Sequence, residues 1–268
     1  MDIFFVNLAD RQDRRDAVES NFADCAPAQW RLHRVDGVPA QEAAARPGPL
    51  TDREKGCFLG HVAALAAAKS APGHVLIAED DIFLGRNSAA MIESALARIP
   101  EQGWDLVYTD ICVSSTAFML DLFRLRGKFS QNYPYELINL AGLPFAGATA
   151  YIVNKNSRER LASQLAAAAS FDIPYDLYLR KLIYEKTLRG FALFPFATTL
   201  SALGDQSQIQ ISAAGPDLVW NEFRRLVWAE RDAEAVLKRV AHITADAPDQ
   251  QAFLKILIPM LNPEFGKK

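Results

Sequence analysis

Four apolar residues, Val75-Leu76-Ile77-Ala78, run straight into three carboxylates, Glu79-Asp80-Asp81. A continuous apolar run behind a turn signal, here Pro72-Gly73, has the pattern of a strand buried on both faces, the kind found inside a parallel α/β sheet. The acids then fall where the strand leaves the sheet, and in open α/β sheets the carboxyl ends of strands form the ligand crevice. Three adjacent carboxylates repel one another and lose solvation when crowded. A divalent cation relieves both effects, and hard cations such as Mg²⁺ and Mn²⁺ take oxygen ligands. The plainer alternative is an acidic strand end that faces solvent.

The rest of the chain is compatible with one large α/β domain plus an appendage: 268 residues, 50% hydrophobic and 23% charged. A net charge of −3 gives no basic excess, which argues against duplex nucleic acid as a partner. Met1-Asp2-Ile3 leads into a short apolar strand without a basic n-region or a long apolar core, so no secretory signal is expected. No window approaches the roughly 20 apolar residues that span a bilayer. The three cysteines, Cys25, Cys57 and Cys112, form neither a disulfide framework nor a C-x-x-C zinc pattern, and a reduced cytoplasmic compartment is expected.

Ile3-Phe4-Phe5-Val6 reads as a first strand ending at Asn7-Leu8. The helix after it carries Arg11, Arg14 and Arg15 on one face, a cluster suited to a diphosphate or, more plainly, to a solvated face salted by Asp10, Asp13 and Asp16. Trp30 to Val35 alternates as a second strand and stops at Asp36-Gly37, a turn dipeptide in which Gly37 would take positive φ. Asp36 is also placed to accept from a ribose or base. Residues 39–50 read as a loop.

Thr51-Asp52-Arg53-Glu54 is a capping box that opens a helix to about Ser70. Gly56 and Gly60 share one face of it, which suggests close approach to the sheet or to a ligand. His61 lies two turns after Glu54. Further elements are expected at 87–99 (helix), 104–110 (strand, acids at both ends), 147–153 (strand), 154–169 (helix), 176–188 (helix) and 191–196 (strand). Residues 113–140 read as an excursion or lid carrying Lys128, Tyr133 and Tyr135. From Asp217 the chain reads as helices over 217–243 and 249–258. Their stripe of Trp220, Phe223, Val227, Ala235 and Leu237 is expected to pack on the main domain, with a membrane-surface or dimer role as the alternative.

The order of these motifs resembles that of the family 25 glycosyltransferases, the lipopolysaccharide and lipooligosaccharide galactosyltransferase-like enzymes related to collagen galactosyltransferases. The residues that carry the resemblance are Asn7-Leu8-x-x-Arg11-x-x-Arg14-Arg15, Val35-Asp36-Gly37, Glu54-x-Gly56-Cys57-x-x-x-His61 and Leu76-Ile77-x-Glu79-Asp80-Asp81. It continues more faintly through Gly147 to Tyr151, Pro174-x-Asp176 and Ser207-x-Ile209, and divides the chain into residues 1–210 and a C-terminal helical extension, 211–268. The resemblance implies a GT-A-like nucleotide-binding domain, a UDP-sugar donor (usually UDP-galactose), a divalent metal (Mn²⁺ or Mg²⁺) and transfer with inversion. It places Asp81 on the metal, with Glu79 as a second ligand, and Glu79 or Asp80 on the ribose or the metal's water shell. Asn7, Arg11, Asp36, Gly37, Glu54, Gly56 and His61 then line the donor side. Inverting transfer needs a base for the acceptor hydroxyl; Asp176 is the first candidate and Asp110 the second. The implied acceptor is a lipid-linked bacterial surface glycan, met by peripheral contact at the inner face of the cytoplasmic membrane. The chain has Gly60 where the family commonly has Ser, Gln208 where it commonly has Asp, and a motif at 147–151 shifted towards Ala.

Two rivals share parts of this pattern. In a response-regulator receiver, Glu79-Asp80-Asp81 would end the first strand and Asp110 the phosphoacceptor strand. Residues 82–104 are too few for the helix, strand and helix that fold needs between them. A non-catalytic nucleotide- or glycan-binding protein on the same fold is the second rival, prompted by Gly60 and Gln208.

Overall fold

The computed structural model describes residues 1–113, 115–129, 135–205 and 215–245. Tyr133, Gln206-Ser207-Gln208 and the expected helix at 249–258 lie outside the described residues.

The first half is a run of crossovers. Strand β1 (Asp2–Asn7) is followed by α1 (Gln12–Cys25), β2 (Arg31–Asp36), the short α2 (Ala40–Ala43), α3 (Asp52–Ala67) and β3 (Val75–Glu79). β1 pairs in parallel with β2 on one side and β3 on the other, with Asn7 opposite Asp36 and Val6 opposite Glu79. The chain therefore leaves β1 towards one side and returns on the other. Such a switch point opens a crevice at the carboxyl ends of the strands, and the register brings Leu8, Gly37 and Glu79 to it together.

The rest follows as β4 (Ile82–Leu84), α4 (Ser88–Arg98), β5 (Leu106–Tyr108), α5 (Thr116–Arg126), β6 (Glu136–Asn139), β7 (Ala150–Val153), α6 (Arg158–Ala166), α7 (Tyr175–Tyr184), β8 (Gly190–Phe194), β9 (Thr198–Leu200), α8 (Gly215–Val227) and α9 (Ala233–Ala245). Among the described residues the main sheet has seven strands in the order β2-β1-β3-β7-β5-β8-β6, and β4 pairs with β9 in a separate two-stranded sheet. Strands β2, β1, β3, β5 and β8 run one way; β7 and β6 run against them.

Alternation along the strands divides the core. Phe4, Val75 and Ile77 face Phe58, Leu65 and Leu161 on one side of the sheet. Ile3, Phe5, Leu76 and Ala78 face Val18, Trp30 and Ile92 on the other. All four apolar residues of β3 are fully buried, which is why this strand carries no polar position before Glu79.

Several expectations change at the boundaries. β3 ends at Glu79, so Asp80 and Asp81 form the turn into β4 and point from a loop. The described residues of the stretch 113–140 include α5 and β6; Tyr135 is pinned to α4, its hydroxyl 2.7 Å from Ser94 Oγ and its ring beneath the Arg98 guanidinium. The helix expected over 217–243 is two helices, broken where Trp228 bridges to Phe196. Phe223 and Val227 of α8 belong to the main core, whereas Leu237 packs in a smaller cluster with Leu226, Val236 and Val240. The two acids flanking β5 part company. Asp105, at the end away from the crevice, accepts from Ser157, from the Arg189 amide and from Arg160.

The capping box forms as expected, with Glu54 Oε2 taking the Thr51 amide at 2.9 Å. The two glycines of α3 face the protein. A Cβ on Gly56 would lie 2.5 Å from the Val38 carbonyl oxygen, and one on Gly60 would lie 2.7 Å from Val6 Cγ1. Gly60 thus accompanies a β-branched neighbour on β1. Gly60→Ser is expected to cost about 1–3 kcal/mol through overpacking. Adding Val6→Ala should recover most of it, as read by urea unfolding. An unchanged stability for the single variant would show that α3 has room to move.

Candidate functional site

Two cavities meet at the carboxyl end of β3. One, about 540 Å³, lies over the β1–β3 switch point between Leu8, Arg11, Arg14, Gly37 and Gly56. The other, about 400 Å³, lies between α7, α8 and the 146–149 segment, with Asp176, Gly147 and Arg224 in its wall. Cys57, Glu79 and Asp81 line both, so the acidic strand end is the partition between them.

Asp81 is the least satisfied group there. Its side chain is 13% exposed, Arg14 is 3.7 Å away, and Oδ1 is buried with no hydrogen-bond partner among the described residues. Burial, and then the neighbouring Glu79 carboxylate, push its carboxyl up to about 7. Glu79 behaves otherwise. Burial raises it, but the His61 hydrogen bond and the nearby Arg224 and Arg14 charges outweigh burial and hold it below the ordinary range. Asp80 is turned inward, one oxygen taking Arg14 at 2.6 Å and the other Asn7 at 2.9 Å.

His61 is buried at the same wall. One ring nitrogen is 3.3 Å from Glu79 Oε1 and the other 3.2 Å from the Tyr151 hydroxyl, while the ring stacks on Tyr175 at 4.0 Å. Cys57 is one turn before His61 on α3. The ligand atoms of Cys57, His61 and Glu79 all lie within 4.8 Å of one another, a group able to hold a metal ion. Burial holds the Cys57 thiol well above its usual range.

The other residues expected on the donor side divide. Arg11, Gly37, Gly56, His61, Glu79 and Asp80 line the larger cavity. Arg11 is engaged by Asp13 through two bonds of 2.9 and 2.7 Å. Arg14 and Arg11 reach the cavity, but Arg15 pairs with Glu19 and stands apart from them. Asn7 is buried behind the wall: its amide donates to the Arg11 carbonyl and to Asp80, and its oxygen accepts from Arg34. Asp36 is 81% exposed, pairs with Arg34 and does not line the cavity. Gly37 adopts no positive φ, contrary to the turn expected from Asp36-Gly37. Its amide donates to the Asn7 carbonyl, and a Cβ would meet Leu8 at 3.1 Å, so close approach is what favours glycine there. Glu54 lines the smaller cavity, not the larger one.

On the far side of the partition, Asp176 sits in the first turn of α7, where a carboxylate suits the helix dipole. Its Oδ2 accepts the Gly147 amide at 2.7 Å. Gly147 has φ +83, a conformation that favours glycine, and this turn aims the amide at Asp176. Asp110 is fully buried and absent from both cavity walls; Arg224 bonds it at 2.9 and 2.5 Å. Burial raises its carboxyl, against the pull of Arg224.

Cys57 and Arg224 were not assigned a place at this site from the sequence, and Arg14 was read only as part of the arginine cluster suited to a diphosphate, whereas it bonds Asp80. Cys57 and His61 share an i, i+4 face of a helix, a usable signal. Arg224 has none, since its partner Asp110 lies on a different element far away in the chain.

The model of glycosyltransferase family 25 (LPS biosynthesis protein) matches residues 1–179. No curated protein matches the chain. Among solved structures, an active-site mutant of LgtC shares 12% identity over 72% of this chain and 71% of that one, with a TM-score of 0.39. Mouse xyloside xylosyltransferase 1, in its apo form, shares 14% over 70% and 63%, at 0.34. A nucleoside-diphosphate-sugar pyrophosphorylase from Vibrio cholerae shares 12% over 72% of each chain, at 0.33. With the family model matching residues 1–179 of the 268, the chain belongs to glycosyltransferase family 25.

Proposed function

We propose that this glycosyltransferase moves a sugar, galactose first among the candidates, from a UDP-sugar in the larger cavity to a glycan hydroxyl in the smaller one, with inversion. The observation that carries the reading is the shared partition: Glu79 and Asp81 face both cavities, so a bond broken on one side and formed on the other passes these two carboxylates.

The residues fit a divalent cation. Asp81 Oδ1 is a buried oxygen without a partner among the described residues, beside a second carboxylate, an arrangement that a hard cation completes. Asp81 and Glu79 would hold it, and when bound it supplies charge neutralisation to the departing nucleoside diphosphate. The chain's own groups do the rest. Arg14 and Asn7 fix Asp80 and so hold the loop that presents Asp81. The Tyr151 hydroxyl and the Tyr175 ring orient His61, which in turn sets the rotamer of Glu79. Asp176, held by the Gly147 amide on the acceptor side, takes the proton of the attacking hydroxyl. Asp110 is spent on Arg224 and serves as an anchor rather than as a base.

The acceptor is proposed to be lipid-linked and met at the inner face of the cytoplasmic membrane, a reading supported by the LPS-biosynthesis description of the family. Among the described residues, no helix is long and apolar enough to cross a membrane.

A thermal-shift series tests the reading. Ligands that bind the folded state raise the melting temperature by mass action. UDP-galactose with Mn²⁺ should raise it by several degrees, and UDP-galactose alone much less. Equal shifts with and without metal would remove the cation from the site. No shift with any UDP-sugar would favour a fold without transferase function.

A further inference from the structure

The smaller cavity has a wall that comes from outside the stretch matched by the family model. Helix α8 sends Trp220, Asn221 and Arg224 into it, residues related by i, i+1 and i+4. Arg224 is only 5% exposed although it ends in a guanidinium. Burying that charge requires a partner, and Asp110 supplies one. Nε and Nη2 donate to Asp110 Oδ2, and Nη2 also donates to Thr149 Oγ1 at 2.8 Å. Nη1 has no hydrogen-bond partner among the described residues. It is also not among the atoms sealed from solvent, so it is the nitrogen left for the cavity.

The acids of this cavity are differently disposed. Glu54 is held in its capping box, Asp176 takes the Gly147 amide, and Asp205 takes Asn221 and Arg225. Glu79 and Asp81 belong to the partition with the other cavity. Among the described residues, Arg224 is the one cation lining this cavity. A planar guanidinium held on two nitrogens and open on the third is preorganised for one more oxygen.

We propose that Arg224 is a specificity residue for an acceptor that carries an anionic group, a carboxylate or a phosphate, near the hydroxyl that receives the sugar. Nη1 donates to that group, and Trp220 walls the sugar ring from one helical turn away. The proposal rests on the smaller cavity being the acceptor side of the transferase site. It also makes α8 part of substrate recognition rather than an appendage.

The test uses the full chain with UDP and Mn²⁺ present and three probes: methyl β-D-glucuronide, glucose 6-phosphate and methyl β-D-glucoside. Affinities are read by titration calorimetry. At least one charged probe should bind about tenfold or more tightly than the neutral one, the worth of one charge-assisted hydrogen bond. Comparing the two charged probes shows whether the group is a carboxylate or a phosphate. Arg224→Met combined with Asp110→Asn removes both members of the buried pair, which is better tolerated than removing one. That variant should lose the preference while keeping the weak affinity for the neutral sugar. If it does not fold, as judged by circular dichroism, Arg224→Lys takes its place and should weaken the preference several-fold. Wild-type protein that does not distinguish charged from neutral sugars, including by binding neither, overturns the proposal. So does a preference unchanged in the variant that folds. Failure of the transferase reading is seen separately, as absence of the metal-dependent shift with UDP-galactose.

Discussion

Asp81→Asn is expected to lower sugar transfer by about a thousandfold, in line with the loss of a group that stabilises charge developing in a transition state. It should also abolish the Mn²⁺-dependent part of the thermal shift with UDP-galactose. The reasoning starts from the folded protein without ligand. Burial and Glu79 already disfavour the charged form of Asp81, and its Oδ1 has no hydrogen-bond partner among the described residues. A neutral amide of the same shape therefore removes a charge that the fold holds at a cost. The metal-free melting temperature should stay where it is or rise. That outcome separates function from folding: a protein at least as stable as wild type, unresponsive to metal, would locate the cation at Asp81. A variant that keeps its metal response would move the ion to the group formed by Cys57, His61 and Glu79, and Cys57→Ser then becomes the informative substitution.

The position of that acidic partition was readable from residues 74–81 because everything needed was contiguous: four buried apolar positions, then carboxylates where the strand ends. The helix beneath it was readable for the same reason, since a capping box is a local device. The division of labour among neighbouring polar residues was not. Asn7, Arg14 and Asp80 look as free as Arg11 and Asp81 in the sequence. Only the β1–β3 register, which sets Val6 beside Glu79, shows that the first three satisfy one another. The same holds for Asp36, whose place at a strand end suggested a nucleotide contact; it pairs with Arg34 at the surface. Arg224 was illegible for a different reason. Its role depends on the packing of a C-terminal helix against strand ends built from the first two thirds of the chain. Nothing in the local pattern of α8 announces that one of its basic residues is buried.

Asp176 was the first candidate base from the sequence and Asp110 the second, and their burial supports that order. Asp110 is sealed against Arg224, while Asp176 lines the cavity with the Gly147 amide on one oxygen. Asp176→Asn is expected to reduce kcat by about a hundredfold to ten-thousandfold, the range for loss of a general base, with little change in the KM for the donor. The choice of asparagine matters. Its amide oxygen still accepts from Gly147, so the turn at φ +83 and the start of α7 keep their geometry, and only proton acceptance is lost. Asp176→Ala would remove both, leaving a backbone donor unpaired, and its loss of activity would mix stability with chemistry. Donor hydrolysis adds a second reading. Water needs activation as a sugar hydroxyl does, so slow UDP release in the absence of acceptor should fall in parallel with transfer. If Asp176→Asn keeps transfer within a few-fold of wild type, the base lies elsewhere. Glu79 is then the carboxylate to substitute, because it is partly exposed, faces both cavities and is the group His61 holds in place.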